Sequence, residues 1–180
     1  MPDPAAAIVD LLNSGPHATP LLPDALDTPT SAIAILRPFG QPQNRAPTAE
    51  RLEAVRALRS DLVAIAGDGD DAEKEWAWRN VTQRAAALAL RQTFLPPGHV
   101  QLEQIDGDPV LGGITLAVAE LIDAGVWPRI RICANELCRH AFYDTTRSRT
   151  QRWHSYEICG NRTNVAAYRA RNKKNKKHMP

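Results

Sequence analysis

The chain has 180 residues, 43% of them hydrophobic and 23% charged, which fits one globular domain, or one and a small second, with a core to bury. Its longest uninterrupted apolar run, Ala85 to Leu90, is six residues, far short of the roughly 20 that cross a bilayer. No lysine or arginine precedes Arg37, so the basic start of a secretory signal is missing and a cytoplasmic protein without membrane contact is expected. The net charge of +2 conceals a division: residues 1–130 hold 10 Lys+Arg against 17 Asp+Glu, a net of −7, while residues 131–180 hold 12 against 3, a net of +9.

In chain order, Pro4 suits a first helical turn and Ala5, Ile8, Val9 and Leu12 recur at helical spacing, which predicts a helix over 4–13 stopped by Asn13-Ser14-Gly15-Pro16. A loop through Pro20 and Pro23 leads to Thr28-Pro29, the start of a second short helix ending before Pro38. From Thr48 to Ala66, Leu52, Val55, Leu58, Leu62 and Ile65 share one face of a helix that Gly67 ends. Asp68-Gly69-Asp70 is a turn, and Ala72 to about Gln83 reads as a helix burying Trp76 and Val81. Leu88 and Leu90 alternate before Pro96-Pro97-Gly98, and Val100 and Leu102 alternate after it, as in a β-hairpin; helix through Phe94 is the rival reading. Asp108-Pro109 opens a last body helix with Leu111, Ile114, Val118, Leu121 and Ile122 inward, closing at Gly125.

This acidic body carries no nucleophile, base and oxyanion constellation, so no enzymatic turnover is expected of it. Gly107, Gly112 and Gly113 do not form a phosphate loop, and Asp68, Asp70 and Asp71 lack the further ligands of a calcium loop. Asn13 and His17 flank a Gly-Pro turn and are candidates to line a pocket for a small-molecule effector, although turn and cap roles suit them as well.

The chemistry concentrates after Arg129-Ile130-Arg131-Ile132, which alternates like a strand. The cysteines Cys133, Cys138 and Cys159, with His154, follow the pattern C-x4-C-x15-H-x4-C. Three cysteines cannot pair off completely, and two short ligand pairs separated by a longer loop suit a tetrahedral zinc ion. Cys133, Cys138, His154 and Cys159 would close the coordination shell and make the zinc structural, with His140 as the competitor of His154. The adenine and cytosine deaminase pattern, H-x-E with P-C-x-x-C, is absent.

Cys159-Gly160-Asn161-Arg162, preceded by Arg152-Trp153-His154-Ser155 and by Phe142-x-Asp144-x-x-Arg147, resembles the CGNR zinc-finger family of bacterial proteins. The body, including Ile8-Val9-Asp10-Leu11-Leu12-Asn13, resembles the ABATE domain that accompanies this finger. Members are described as stress-induced transcription regulators, which is what the resemblance implies here. The family usually has cysteine where this chain has His154, a change that retains a zinc ligand.

The chain thus reads as α+β. A mainly helical body with a small β-hairpin occupies residues 1–128, and a treble-clef-like or knuckle-type zinc finger ending in a basic helix occupies residues 129–180. Arg147, Arg149 and Arg152 lie between the ligand pairs, and a helix from about Asn161 to Asn172 would align Arg162, Arg169 and Lys173, with Val165 and Tyr168 packed on the zinc core. These arginines and lysine could neutralise phosphates, and Asn161 or Arg162 could reach base edges. The expected function is a DNA-binding transcription regulator whose body forms a homodimer or senses an effector. The alternative is a ligand-binding protein or enzyme whose finger braces the fold or holds a protein partner.

Overall fold

Helix α1 (Asp3–Asn13) buries Ala5, Ile8, Leu11 and Leu12 at the centre of the molecule, and around it the computed structural model describes residue 1, residues 3–165 and residues 168–169. Helix α2 (Pro29–Leu36) contributes Ala32 and Leu36 to the same core. Helix α3 (Ala49–Ala66) begins where the Thr48 hydroxyl accepts from Arg51 N–H, and buries Val55, Leu58, Leu62 and Ile65. Each such side chain, taken out of water, contributes about 1.5–3 kcal/mol.

Helix α4 (Asp71–Ala85) is capped by the Asp70 carboxylate, which accepts from Glu73 N–H at 2.8 Å, and folds back on α3. Asp61 of α3 accepts from Asn80 and from the Arg84 guanidinium of α4, which satisfies a buried carboxylate. Helix α5 (Pro109–Asp123) starts at Asp108, whose carboxylate caps Val110 and Leu111 and receives Arg51 Nε at 2.7 Å, so the first turns of α3 and α5 are tied together. Gly113 lies so close to the backbone of Phe39 that a Cβ there would collide with it; close helix approach, not phosphate binding, is what this glycine serves.

The structure is α+β with two antiparallel hairpins. Strands β1 (Ala89–Leu95) and β2 (His99–Asp106) form the first, and α4 ends before it, which removes the rival helix through Phe94. Strands β3 (Ile130–Ile132) and β4 (Ala141–Tyr143) form the second, with Ile132 opposite Ala141.

Three burial expectations need correction. Trp76 is 59% exposed; the inward face of α4 is Ala77 and Val81, with Trp78 half-buried and tilted against Trp127 at 5.8 Å between ring centroids. Ile122 is exposed because it sits a third of a turn from Leu121, the side chain that α5 turns inward. Val165 and Tyr168 are exposed too, since the apolar packing around the candidate ligands is completed by Phe142 and Trp153 instead. Residues 161–165 are helical, as are 168 and 169, so Arg162 and Arg169 of the expected basic stripe are described, while Lys173 lies outside the described residues. No helix among the described residues is long and apolar enough to cross a membrane.

The apolar core does not stop at residue 128. Trp127, Ile130, Ile132 and Ala141 belong to the same buried cluster as Ile8, Leu58 and Ile114, so the boundary marks a change in charge and chemistry while packing continues across it.

Candidate metal centre

The hairpin β3–β4 positions the first ligand pair. Cys133 N–H donates to the His140 carbonyl at 2.9 Å, extending the ladder by one rung, and the chain between them reverses around Asn135. Asn135 O accepts from both Cys138 N–H and Arg139 N–H, its side chain accepts from Leu137 N–H, and Arg139 takes a left-handed φ of 55° to complete the turn. This knuckle aims the Cys133 and Cys138 thiols at one point.

The second pair is held by Ser155. Its hydroxyl accepts from Ile158 N–H and its carbonyl from Cys159 N–H, nucleating the π-helical turn Tyr156–Gly160. Gly160 is required by a close approach, because a Cβ there would sit 2.7 Å from the Tyr156 ring. Ala134 N–H donates to the Arg152 carbonyl at 2.9 Å and brings the two pairs together.

The ligand atoms of Cys133, Cys138, His154 and Cys159 all lie within 4.8 Å of one another. His154 Nδ1 is 3.3 Å from Cys138 Sγ and 3.6 Å from Cys159 Sγ. A tetrahedral ion with Zn–S near 2.3 Å and Zn–N near 2.0 Å has S···N edges of roughly 3.5 Å, so the donor set fits zinc in size as well as in chemistry. Cys133 and Cys159 are buried and His154 half-buried. Burial, reinforced by the thiols of Cys133 and Cys159, pushes the Cys138 thiol up to about 12, so thiolate formation at neutral pH calls for a cation, whose binding would release protons.

His140 stands beside this quartet and outside it. Its ring lies 4.9 Å from that of His154 between centroids, while its nitrogens are engaged elsewhere: Nε2 accepts from Asn13 Nδ2 and Nδ1 donates to His17 Nε2, both at 3.3 Å. His17 Nδ1 in turn donates to Gly15 O at 2.8 Å. The direction of this chain follows from its ends, an amide N–H and a carbonyl, which fix one tautomer for each ring. Burial and the neighbouring His154 and His17 rings hold His140 below the usual histidine range, in keeping with a neutral link.

Asn13 and His17, expected to line an effector pocket, therefore have their polar atoms engaged in joining body to finger. Asn13 Oδ1 accepts from Ala141 N–H at 2.7 Å and Asn13 Nδ2 donates to Ala141 O at 3.0 Å, so the side chain continues the edge of β4. Ala18 N–H donates to Cys138 O at 3.0 Å, placing the loop after α1 on the knuckle itself. Each residue also lines a cleft: His17 one of about 410 Å³ with Arg56, Arg59 and Arg139, and Asn13 one of about 510 Å³ with His140.

The basic residues of this segment face solvent. Arg147, Arg149, Arg152, Asn161, Arg162 and Arg169 are all exposed. The ion pairs among the described residues use other arginines, most of them in the body. Arg152 stacks its guanidinium over Trp153, 5.4 Å from the ring centroid, and Asn161 donates to Glu157 O across the helical turn.

Sequence reasoning overlooked what braces the loop carrying these arginines. Asp144, fully buried, accepts from Thr146 N–H and hydroxyl and from Gln151 N–H. Arg129 donates to the carbonyls of Asp144 and Thr146, and Arg131 to that of Arg149. Burial alone would push the Asp144 carboxyl up, but these hydrogen bonds and the Arg131 charge hold it below the usual carboxylate range. The available signal was the Arg-x-Arg spacing at the start of the expected strand 129–132, together with a lone aspartate in a basic segment.

No curated protein matches the chain. Residues 129–172 match the CGNR zinc finger family, a span that holds the four candidate ligands, the braced arginine loop and the Cys159-Gly160-Asn161-Arg162 turn.

Proposed function

We propose that the protein is a cytoplasmic, DNA-binding transcription regulator without enzymatic turnover, in which a structural zinc ion shapes the finger and the body transmits the state of a small-molecule effector. The ABATE-like character of the body and a role in stress-induced control belong to the same reading. The observation that carries it is the set of exposed arginines, Arg147, Arg149, Arg152, Arg162 and Arg169, on a segment with a net charge of +9. Arginine forks on a rigid support neutralise phosphates and release counterions. The bracing of Arg147 and Arg149 through Asp144, Arg129 and Arg131 favours binding by reducing the ordering cost.

The test is a titration of zinc-loaded protein with labelled duplexes selected from random sequence, repeated over a range of salt. If about five phosphates are neutralised, log K falls with log salt at a slope of roughly −4 to −5, and Arg149→Ala reduces the slope by about one unit. Arg162→Ala costs on the order of 1–3 kcal/mol mainly on the preferred sequence if its guanidinium reads a base. Binding no tighter than that of a generic basic peptide would move the assignment to a ligand-binding protein or enzyme with a bracing finger.

A further inference from the structure

The β1–β2 hairpin is two-faced, yet nothing among the described residues covers either face. The register pairs Leu90 with Gln104, Gln92 with Leu102 and Phe94 with Val100, so these six side chains share one face. Arg91 opposite Glu103, Thr93 opposite Gln101 and Leu95 opposite His99 make the other, where Arg91 and Glu103 form an exposed ion pair at 3.6 Å. That division is the pattern of a strand pair with one face in a core and one in water. Here the face built for a core is open: Phe94 is 76% exposed, and Leu90, Val100 and Leu102 lie between 38% and 47%. Only its base is engaged, where Gln104 donates to Asp108 O at the start of α5.

We propose that this apolar face is the contact through which two copies of the chain form a two-fold symmetric dimer. An isologous contact brings each residue near its own symmetry mate or near a residue that meets it in return, so a face that bears like charges repels itself. The six residues Leu90, Gln92, Phe94, Val100, Leu102 and Gln104 include no ionisable group, while the body as a whole is acidic. A polyanion finds no cation among these six side chains, and a second acidic body meets no carboxylate among them.

The area agrees with a self-contact of modest strength. Phe94 and the three aliphatic side chains expose on the order of 400 Å² of apolar surface, at the level where such patches on monomers tend to be functional. With its polar rim, the contact approaches the lower end of specific interfaces, which bury about 800 Å² per partner at standard size. An isolated two-stranded hairpin is marginal in water, and packing on its mate gives it the second layer that the fold does not supply.

Sedimentation equilibrium of the full, zinc-loaded chain over roughly 1–200 µM distinguishes the outcomes. The wild type is expected to pass from monomer to dimer, and Phe94→Lys to remain monomeric, its dissociation constant raised at least about 100-fold by desolvation of the buried charge. Gln101→Lys, on the polar face, is expected to dimerise as the wild type does. Phe94→Ser and Val100→Ser supply milder lesions, and unchanged circular dichroism checks that each variant is folded. A wild type that stays monomeric throughout, as it would if another protein occupied this face, overturns the proposal. So does a dimer that survives Phe94→Lys, or one that Gln101→Lys dissociates.

Discussion

Asn13 is the side chain on which the attachment of the finger to the body most depends, and Asn13→Ala makes that dependence measurable. In the native chain its amide meets both backbone groups of Ala141 and the ring of His140. Ala141 is 1% exposed, so in the native fold its backbone groups are met by Asn13 and not by bulk water. An orphaned buried N–H costs about 1–3 kcal/mol, and the lost bond to the Ala141 carbonyl adds roughly 1 kcal/mol. The expected loss is about 2–4 kcal/mol, a sizeable part of the 5–15 kcal/mol that typically separates folded from unfolded chains. With a urea dependence of about 2–3 kcal/mol per molar, the midpoint falls by roughly 0.7–2 M. Hydrogen exchange gives the location: amides of β4 and of the knuckle lose protection before those of α3. A midpoint unmoved within about 0.2 M, or faster exchange spread evenly over both parts, would refute the idea that this side chain seals the seam.

Metal analysis is expected to find one zinc per chain, lost in Cys138→Ser and Cys159→Ser but retained in His154→Cys. Because burial pushes the Cys138 thiol up to about 12, zinc uptake is expected to release protons and to weaken as pH falls, which calorimetry in buffers of different ionisation enthalpy can read. Burial pushes the Asp24 carboxyl up, but hydrogen bonds from Arg59 and Leu26 N–H, with the charges of Arg59 and Arg56, hold it below its ordinary value. Its contribution to stability is whole above the unfolded carboxylate pKa of about 3.9 and is lost as pH falls through the native value. Asp24→Asn should therefore be less stable than the wild type at neutral pH and lose less on acidification; parallel pH curves of the two would contradict this. Gly160→Ala should weaken the finger by about 1 kcal/mol by displacing the Tyr156 ring, and Tyr156→Ala in the same chain should cancel most of that effect, since the ring is the obstacle.

Local information was readable wherever chemistry and period coincide. The span of α3 follows from Thr48, its apolar stripe and Gly67, and the clustering of Cys133, Cys138, His154 and Cys159 from two short spacings that can each turn two side chains to one point. The hairpin, too, was legible in the alternation on either side of Pro96-Pro97-Gly98. Sequence periodicity was weaker on which aromatic residue of α4 turns inward, because Trp76 and Trp78 are equally apolar and the choice rests on tertiary packing, where Trp78 meets Trp127. Arg59 lies off the apolar stripe of α3, yet it is buried, bonded to Asp24 and to the Ser14 hydroxyl, a placement that the stripe does not announce. What could not be read was the seam. Asn13 and Ala141 are 128 positions apart, and an asparagine before Ser-Gly-Pro announces a turn without naming the strand edge it will meet. Ile130 and Ile132 likewise declare a strand but not that the body's core is where they are buried.

That seam constrains how the finger can be exchanged. Apart from the His140 ring, which meets Asn13 and His17, the docking partners of the knuckle are main-chain groups: the Cys138 carbonyl held by Ala18, and both backbone atoms of position 141 held by Asn13. A different knuckle could be grafted onto this body with most of its side chains altered, provided its strand presents the same edge and a ring like that of His140 follows the second cysteine. The reverse transplant is far more demanding. A finger moved alone to another protein leaves behind the end of α1, the loop to Ala18 and the core that buries Ile130, Ile132 and Ala141, so chimeras cut at residue 128 carry the four candidate ligands without the surface on which their hairpin is seated.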